Sequence, residues 1–182
     1  MIIRKTFKVE SSHIVRDMSY SHACSNSFHG HSAVIEVLLT SDRLDNAQTI
    51  IDFGLIKNII KPFINSFDHC MQFHHNESNE VKEFYAKHNR RWIQLPVSPT
   101  AESLSLLMLF VISKLLKNEK YTNGEGDVKV HSIIYHETTT GYAQAFSEDL
   151  IWVDYKTSDI IFSDGVVEDE NLQKIVKILK DE

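Results

Sequence analysis

The chain contains no apolar run near the ~20 residues that a membrane span requires. Its opening, Met1-Ile2-Ile3-Arg4-Lys5, runs straight into an alternating pattern and lacks the architecture of a signal peptide. Cysteine is scarce, with only Cys24 and Cys70 among 182 residues. One disulfide is the most they could form, and without an export signal free thiols in a reducing cytoplasm are expected. Positive charge is also short. Nineteen Lys and Arg against 25 Asp and Glu leave a net charge of −6, which argues against nucleic acid or an anionic membrane as the main partner. A small anionic substrate stays admissible, because a few local cations suffice for it. Repeats and low-complexity segments are absent, and the length suits one domain with its own core.

Histidine is plentiful, with ten residues, and three of them stand in an informative pattern. His29-Gly30-His31 opens the alternating run Ala33 to Leu39, and the two-residue period of a strand points positions 29 and 31 to the same face. His13 ends the first alternating run, Ile2 to Ser12. If the two strands pair antiparallel, a third imidazole joins the first two. Three neutral nitrogens leave one tetrahedral position open, the pattern of a catalytic zinc.

The remaining elements follow from periodicity. Residues 2–12 and 31–40 read as strands, joined by a long polar connection from Ile14 to Phe28 that holds Cys24. Asp52 caps a helix running to about Ser66, with Pro62 expected to kink it. From Phe73 to Ser98 the chain is polar and mixed, an apparent insertion with a short helix near 78–87. Pro99-Thr100-Ala101-Glu102 opens a second helix, with Thr100 as cap and Glu102 in its first turn. Val128–Glu137 and Gly141–Phe146 form a hairpin. A tail from Ser147 ends in an amphipathic helix through Leu172, Ile175, Val176 and Leu179. Strands and helices in blocks indicate an α+β layer architecture.

Several residues admit more than one reading. Cys24 is a fourth zinc ligand, a small buried hydrophobe, or a reactive thiol that acts as a base. Asp68-His69 could pair a base with its partner, although the dipeptide alone is uninformative. Cys70 reads as structural, and His74-His75 as a solvated pair. Glu137 could accept hydrogen bonds from the amidine-like edge of a pterin or guanine, or simply be an exposed turn residue. Glu102 is explained by first-turn electrostatics, with a substrate contact as the secondary reading.

Together, Ser11-Ser12-His13, Cys24 with His29-Gly30-His31, Ile51-Asp52-Phe53, Phe67-Asp68-His69, Pro99-Thr100-Ala101-Glu102 and His136-Glu137-Thr138 give the chain a specific likeness. It resembles the 6-pyruvoyl-tetrahydropterin synthase family, which includes the bacterial 6-carboxy-5,6,7,8-tetrahydropterin synthases of queuosine precursor synthesis. The resemblance spans residues 1–146, with an insertion at about 73–98, and leaves 147–182 as a C-terminal extension packed on the same domain. It implies a tunnelling fold, in which two helices lie on one face of a four-stranded antiparallel sheet. Homo-oligomeric rings, often hexamers, would carry active sites at subunit interfaces. It also implies Zn2+ on His13, His29 and His31, Cys24 as proton acceptor, and a relay of His69, Asp68 and Glu137. Glu137 would anchor the pterin, and Glu102 and Thr100 would join it in binding the substrate. The expected reaction turns 7,8-dihydroneopterin triphosphate into the 6-carboxy product, acetaldehyde and triphosphate. The alternatives are the pyruvoyl-forming elimination and a non-catalytic zinc or pterin binder. The family commonly has an Arg directly after the first zinc histidine, whereas this chain has Ile14, with Arg16 two residues beyond it.

Overall fold

Alternation of apolar and polar residues builds the two longest strands. In a computed structural model, which describes residues 1–181, β1 (Ile2–His13) and β2 (His29–Thr40) pair antiparallel throughout, from Ile2 opposite Thr40 to His13 opposite His29. Phe7 and Val9 of β1, and Ala33, Ile35, Val37 and Leu39 of β2, enter the core. The residues between them point to the reverse face. The connection from β1 to β2 holds a short helix, α1 (His22–Asn26).

On one flank, β5 (Lys129–His136) joins β2 and β6 (Tyr142–Phe146) joins β5, both antiparallel. On the other flank the sheet continues. β3 (Cys70–His74) runs parallel to β1, β4 (Trp92–Leu95) parallel to β3, and β7 (Ile161–Phe162) antiparallel to β4. The sheet is therefore mixed and seven-stranded, in the order β6-β5-β2-β1-β3-β4-β7, which corrects the four-stranded antiparallel expectation. Cys70, Met71, Gln72 and Phe73 are all buried, so β3 shows no polar alternation to read. β4 and β7 are too short to show a period.

The helix expected over 52–66 is two helices, α2 (Phe53–Ile59) and α3 (Lys61–Asn65), parted at Ile60. Pro62 has no N–H for a carbonyl four residues back, so it sits in the first turn of α3, where none is needed. Asp52 caps α2 by accepting the Gly54 N–H at 2.6 Å. With α5 (Ala101–Asn118) and α6 (Glu170–Lys180), these helices share one core against the sheet, through Phe63, Phe67, Leu104, Met108 and Ile175 among others. That face thus carries more than the two helices expected. The reverse face has its own small apolar cluster, where Tyr85 of α4 (Asn79–His88) stacks on Phe73 beside Trp92, Ile14 and Met71. The apparent insertion therefore widens the sheet and covers its far side. Among the described residues, no helix is long and apolar enough to cross a membrane.

Candidate active site

Strand register brings the three imidazoles together. His13 lies directly opposite His29, and His31 stands two residues along β2 on the same, helix-covered face. Nε2 of His13 and Nε2 of His29 are 3.0 Å apart, and one nitrogen from each of the three rings lies within 4.8 Å of the others. Nitrogens on one tetrahedral zinc, each about 2.0–2.1 Å from it, stand about 3.4 Å apart, so the rings need little movement to share an ion. Their chemistry fits as well. His29 Nδ1 lies 3.0 Å from the Ser27 carbonyl, so it carries the proton and leaves a lone pair at Nε2. His31 Nε2 is buried without a hydrogen-bond partner among the described residues. Burial lowers the His13 pKa to about 4, with His29 and His31 adding to the effect and a hydrogen bond at the Pro99 backbone opposing it. A ring that stays neutral is a ready metal ligand. Gly30, between the two β2 histidines, lets the strands approach closely: a Cβ there would stand 3.1 Å from the Ser11 carbonyl oxygen.

Glu137, just past β5, reaches the rim of this trio, with Oε1 3.7 Å from His13 Nε2 and 4.0 Å from His31 Nε2. Cys24 sits in α1, half-buried with a free thiol. Its carbonyl accepts the Val15 N–H at 3.3 Å, which ties the connection back to the end of β1. Among the described residues, the metal-competent group comprises His13, His29 and His31 without Cys24.

Asp68 and His69 follow α3. His69 Nδ1 is 3.0 Å from Asp68 Oδ2, and Asp68 Oδ1 accepts the Glu10 N–H at 2.8 Å. Burial works against the Asp68 charge, yet the Glu10 N–H and His69 hold its pKa below the usual carboxylate value. The Asp68 carboxylate orients the imidazole through Nδ1. His69 lines an open hollow of about 380 Å³ with Glu10, Ser12, His31, Ser32 and Asn89. Glu10, Ser12 and Ser32 alternate along their strands with the residues on the trio's face, so the hollow opens on the reverse face. Within one chain, strand alternation gives the trio's rings one face of the sheet and gives the other to Glu10, whose backbone holds Asp68 and His69.

Thr100 serves as the cap of α5, accepting the Ser103 N–H at 3.2 Å. Glu102 faces a second hollow of about 300 Å³, walled by Val97, Leu106, Gln144, Trp152 and Tyr155. The Cys70 thiol is pushed up to about 12 by burial, as befits a structural cysteine. His74 is not merely solvated: it stacks on His75, and its Nε2 lies 3.2 Å from the Pro96 carbonyl. Sequence reasoning passed over two residues. Gln72, fully buried and in register with His13, has a carboxamide without a partner among the described residues. Arg91 binds the backbone beneath the dyad. A lone polar residue inside a buried run was the signal for Gln72, and Arg91 gave none.

Residues 2–148 match the family model of 6-pyruvoyl tetrahydropterin synthase. A 6-carboxy-5,6,7,8-tetrahydropterin synthase from Helicobacter pylori (strain J99) is 40% identical over 150 residues, covering 82% of this chain and 74% of the relative. The protein of the same name from Aquifex aeolicus is 31% identical over 159 residues, covering 78% of this chain and 95% of its own. Among solved structures, an uncharacterized protein from Wolinella succinogenes matches with a TM-score of 0.63 at 19% identity, over 81% of this chain and 98% of that one. The Caenorhabditis elegans 6-pyruvoyl tetrahydropterin synthase matches with a TM-score of 0.53 at 17% identity, over 81% and 95%. The structural likenesses speak for the fold alone. On the strength of the sequence match, the chain belongs to the 6-pyruvoyl tetrahydropterin synthase family.

Proposed function

We propose that this protein is a zinc-dependent 6-carboxy-5,6,7,8-tetrahydropterin synthase in the making of a queuosine precursor. Its substrate would be 7,8-dihydroneopterin triphosphate, and its products the 6-carboxy-tetrahydropterin, acetaldehyde and triphosphate. The observation that carries this reading is the convergence of His13, His29 and His31 on one face, with His31 Nε2 unpartnered, in a chain 40% identical to a relative of that name. Zinc bound there would supply Lewis-acid chemistry, making protons beside the substrate's hydroxyls more acidic. Cys24 as thiolate would take a carbon-bound proton, and His69, oriented by Asp68, would pass it on. Glu137 at the rim of the trio would hold the polar edge of the pterin.

Because the trio's rings take one face of the sheet and Glu10, whose backbone holds the dyad, takes the other, a second copy of the chain would complete the site, within a ring-like homo-oligomer such as a hexamer. The pyruvoyl-forming elimination would use the same residues, and the names of the curated relatives favour the carboxy product. A non-catalytic binder would keep the trio and dispense with the base, whereas Cys24, Asp68 and His69 are all present. The test is incubation with dihydroneopterin triphosphate, with and without a chelator, followed by mass spectrometry. Acetaldehyde and the carboxy product are expected, and a pyruvoyl product would overturn the assignment. Cys24→Ala should keep zinc and lose turnover, while His31→Ala should lose both. Undiminished turnover in Cys24→Ala would remove the proposed base.

A further inference from the structure

His69 is a histidine in the left-handed region, at φ 51°. A side chain there costs on the order of 1 kcal/mol, so the surroundings must hold it. What holds it is a clamp on one peptide unit. The His69 N–H donates to the Glu10 carbonyl at 2.6 Å. At the other end of the same peptide, the Asp68 carbonyl accepts from Arg91 Nε at 3.2 Å and from Arg91 Nη2 at 3.0 Å. Arg91 Nη1 donates to the Gly165 carbonyl at 2.9 Å, which anchors the guanidinium on the C-terminal extension. The Arg91 backbone carbonyl accepts the Met71 N–H at 3.1 Å, just beyond the dyad. The planar fork sends five donors out in fixed directions, whereas an ammonium offers three from a single point.

The plane of this peptide sets φ of His69 and therefore the direction of its imidazole. Freed at the carbonyl end, it could rotate and relieve the positive φ, carrying the ring away from Asp68. We propose that Arg91 is a positioning residue for the Asp68–His69 dyad, delivered by the segment between β3 and α5 that widens the sheet. This inference rests on the relay role of the dyad in the proposed function. It gives that segment and the C-terminal extension a shared task, since the guanidinium bridges the dyad's turn to Gly165.

The test uses zinc-loaded Arg91→Lys and Arg91→Met, with a folding check by thermal melting. Arg91→Lys retains the charge and most of the stem, so it serves where Arg91→Met does not fold. Hydrogen exchange at the His69 amide should quicken at least tenfold in Arg91→Lys, which reads the clamp without any turnover. Turnover should fall about ten- to a hundredfold, the scale of a catalytic group displaced by about 1 Å, with KM and zinc content changed less than twofold. The discriminating step is to place Arg91→Lys in the His69→Ala background, where it should lower the residual rate no further. An equal fold-loss in both backgrounds, or unchanged exchange at His69, overturns the proposal. Full activity in His69→Ala alone would instead refute the relay reading, and the exchange result would still decide whether the clamp exists.

Discussion

Acidification of the metal-free protein should cost stability through one buried imidazole. His13 is 5% exposed, and its pKa falls from 6.5 unfolded to about 4 folded. Between these values the unfolded chain binds the proton and the folded one resists it, so stability rises with pH across the window and is lost on descent through it. Above pH 6.5 the residue contributes no penalty, because both states are neutral. At 1.36 kcal/mol per pKa unit, the loss attributable to His13 is about 2 kcal/mol at pH 5 and about 3 kcal/mol at pH 4. Other groups titrate too. Burial also lowers the His74 pKa, and the depressed Asp68 and Glu77 carboxyls lose their contributions below the ordinary carboxylate range. The measurement is therefore a difference: urea unfolding of chelator-treated wild type and His13→Asn at pH 7, 6, 5 and 4. The stability gap between the two should narrow or reverse on acidification by the amounts above. Parallel pH dependence in the two proteins would refute the account, and with it the claim that burial holds His13 neutral.

Gln72→Leu should raise the stability of the metal-free protein by about 1–3 kcal/mol, since it removes a buried, unpartnered carboxamide. A lowered urea midpoint would mean that the amide has a partner after all. Phe73→Ala should cost about 3–5 kcal/mol, because Phe73 is 1% exposed and packs between Tyr85 and Trp92; a loss below about 1 kcal/mol would show that α4 does not depend on this contact. Mixing zinc-free His31→Ala with His69→Ala subunits through a dissociation and reassembly cycle should regain about a quarter of wild-type sites if each site draws the trio from one copy and the dyad from another. No recovery would confine each site to one chain.

The legible parts of the fold are those in which one physical pattern governs many residues. Alternation set β1 and β2 and, through their register, the meeting of His13 with His29. Helical spacing with a capping Thr100 set α5, whose buried stripe Leu104, Leu107, Met108 and Val111 lies against the sheet. β3 escaped notice because a strand covered on both faces loses its alternation, and its parallel pairing with β1 is not a local property. The break at Ile60 was displaced from Pro62 because the proline could be absorbed in a first turn. Of the candidate site, the meeting of the three histidines was visible as spacing, and the Asp68-His69 pair only as a dipeptide. The clamp from Arg91 lies 23 residues along the chain from Asp68, and no periodicity announces an arginine that binds carbonyls.

The two halves of the chemistry are also held by different means. The proposed metal ligands would have to stay within a few tenths of an ångström of a common point, and they come from paired strands, where backbone hydrogen bonds and the buried Val9–Ala33 pair fix the spacing. The dyad comes from a turn whose shape is unfavourable by itself and is imposed by Glu10 and Arg91. Glu10 belongs to β1, three residues before His13, so the strand that would supply a ligand also supplies the backbone that sets the imidazole of the dyad. Damage to β1 would disturb both halves at once, whereas damage at Arg91 would reach the dyad and leave the ligands in register. That asymmetry would allow the proposed metal occupancy and proton transfer to be separated experimentally in a protein where one strand underlies both.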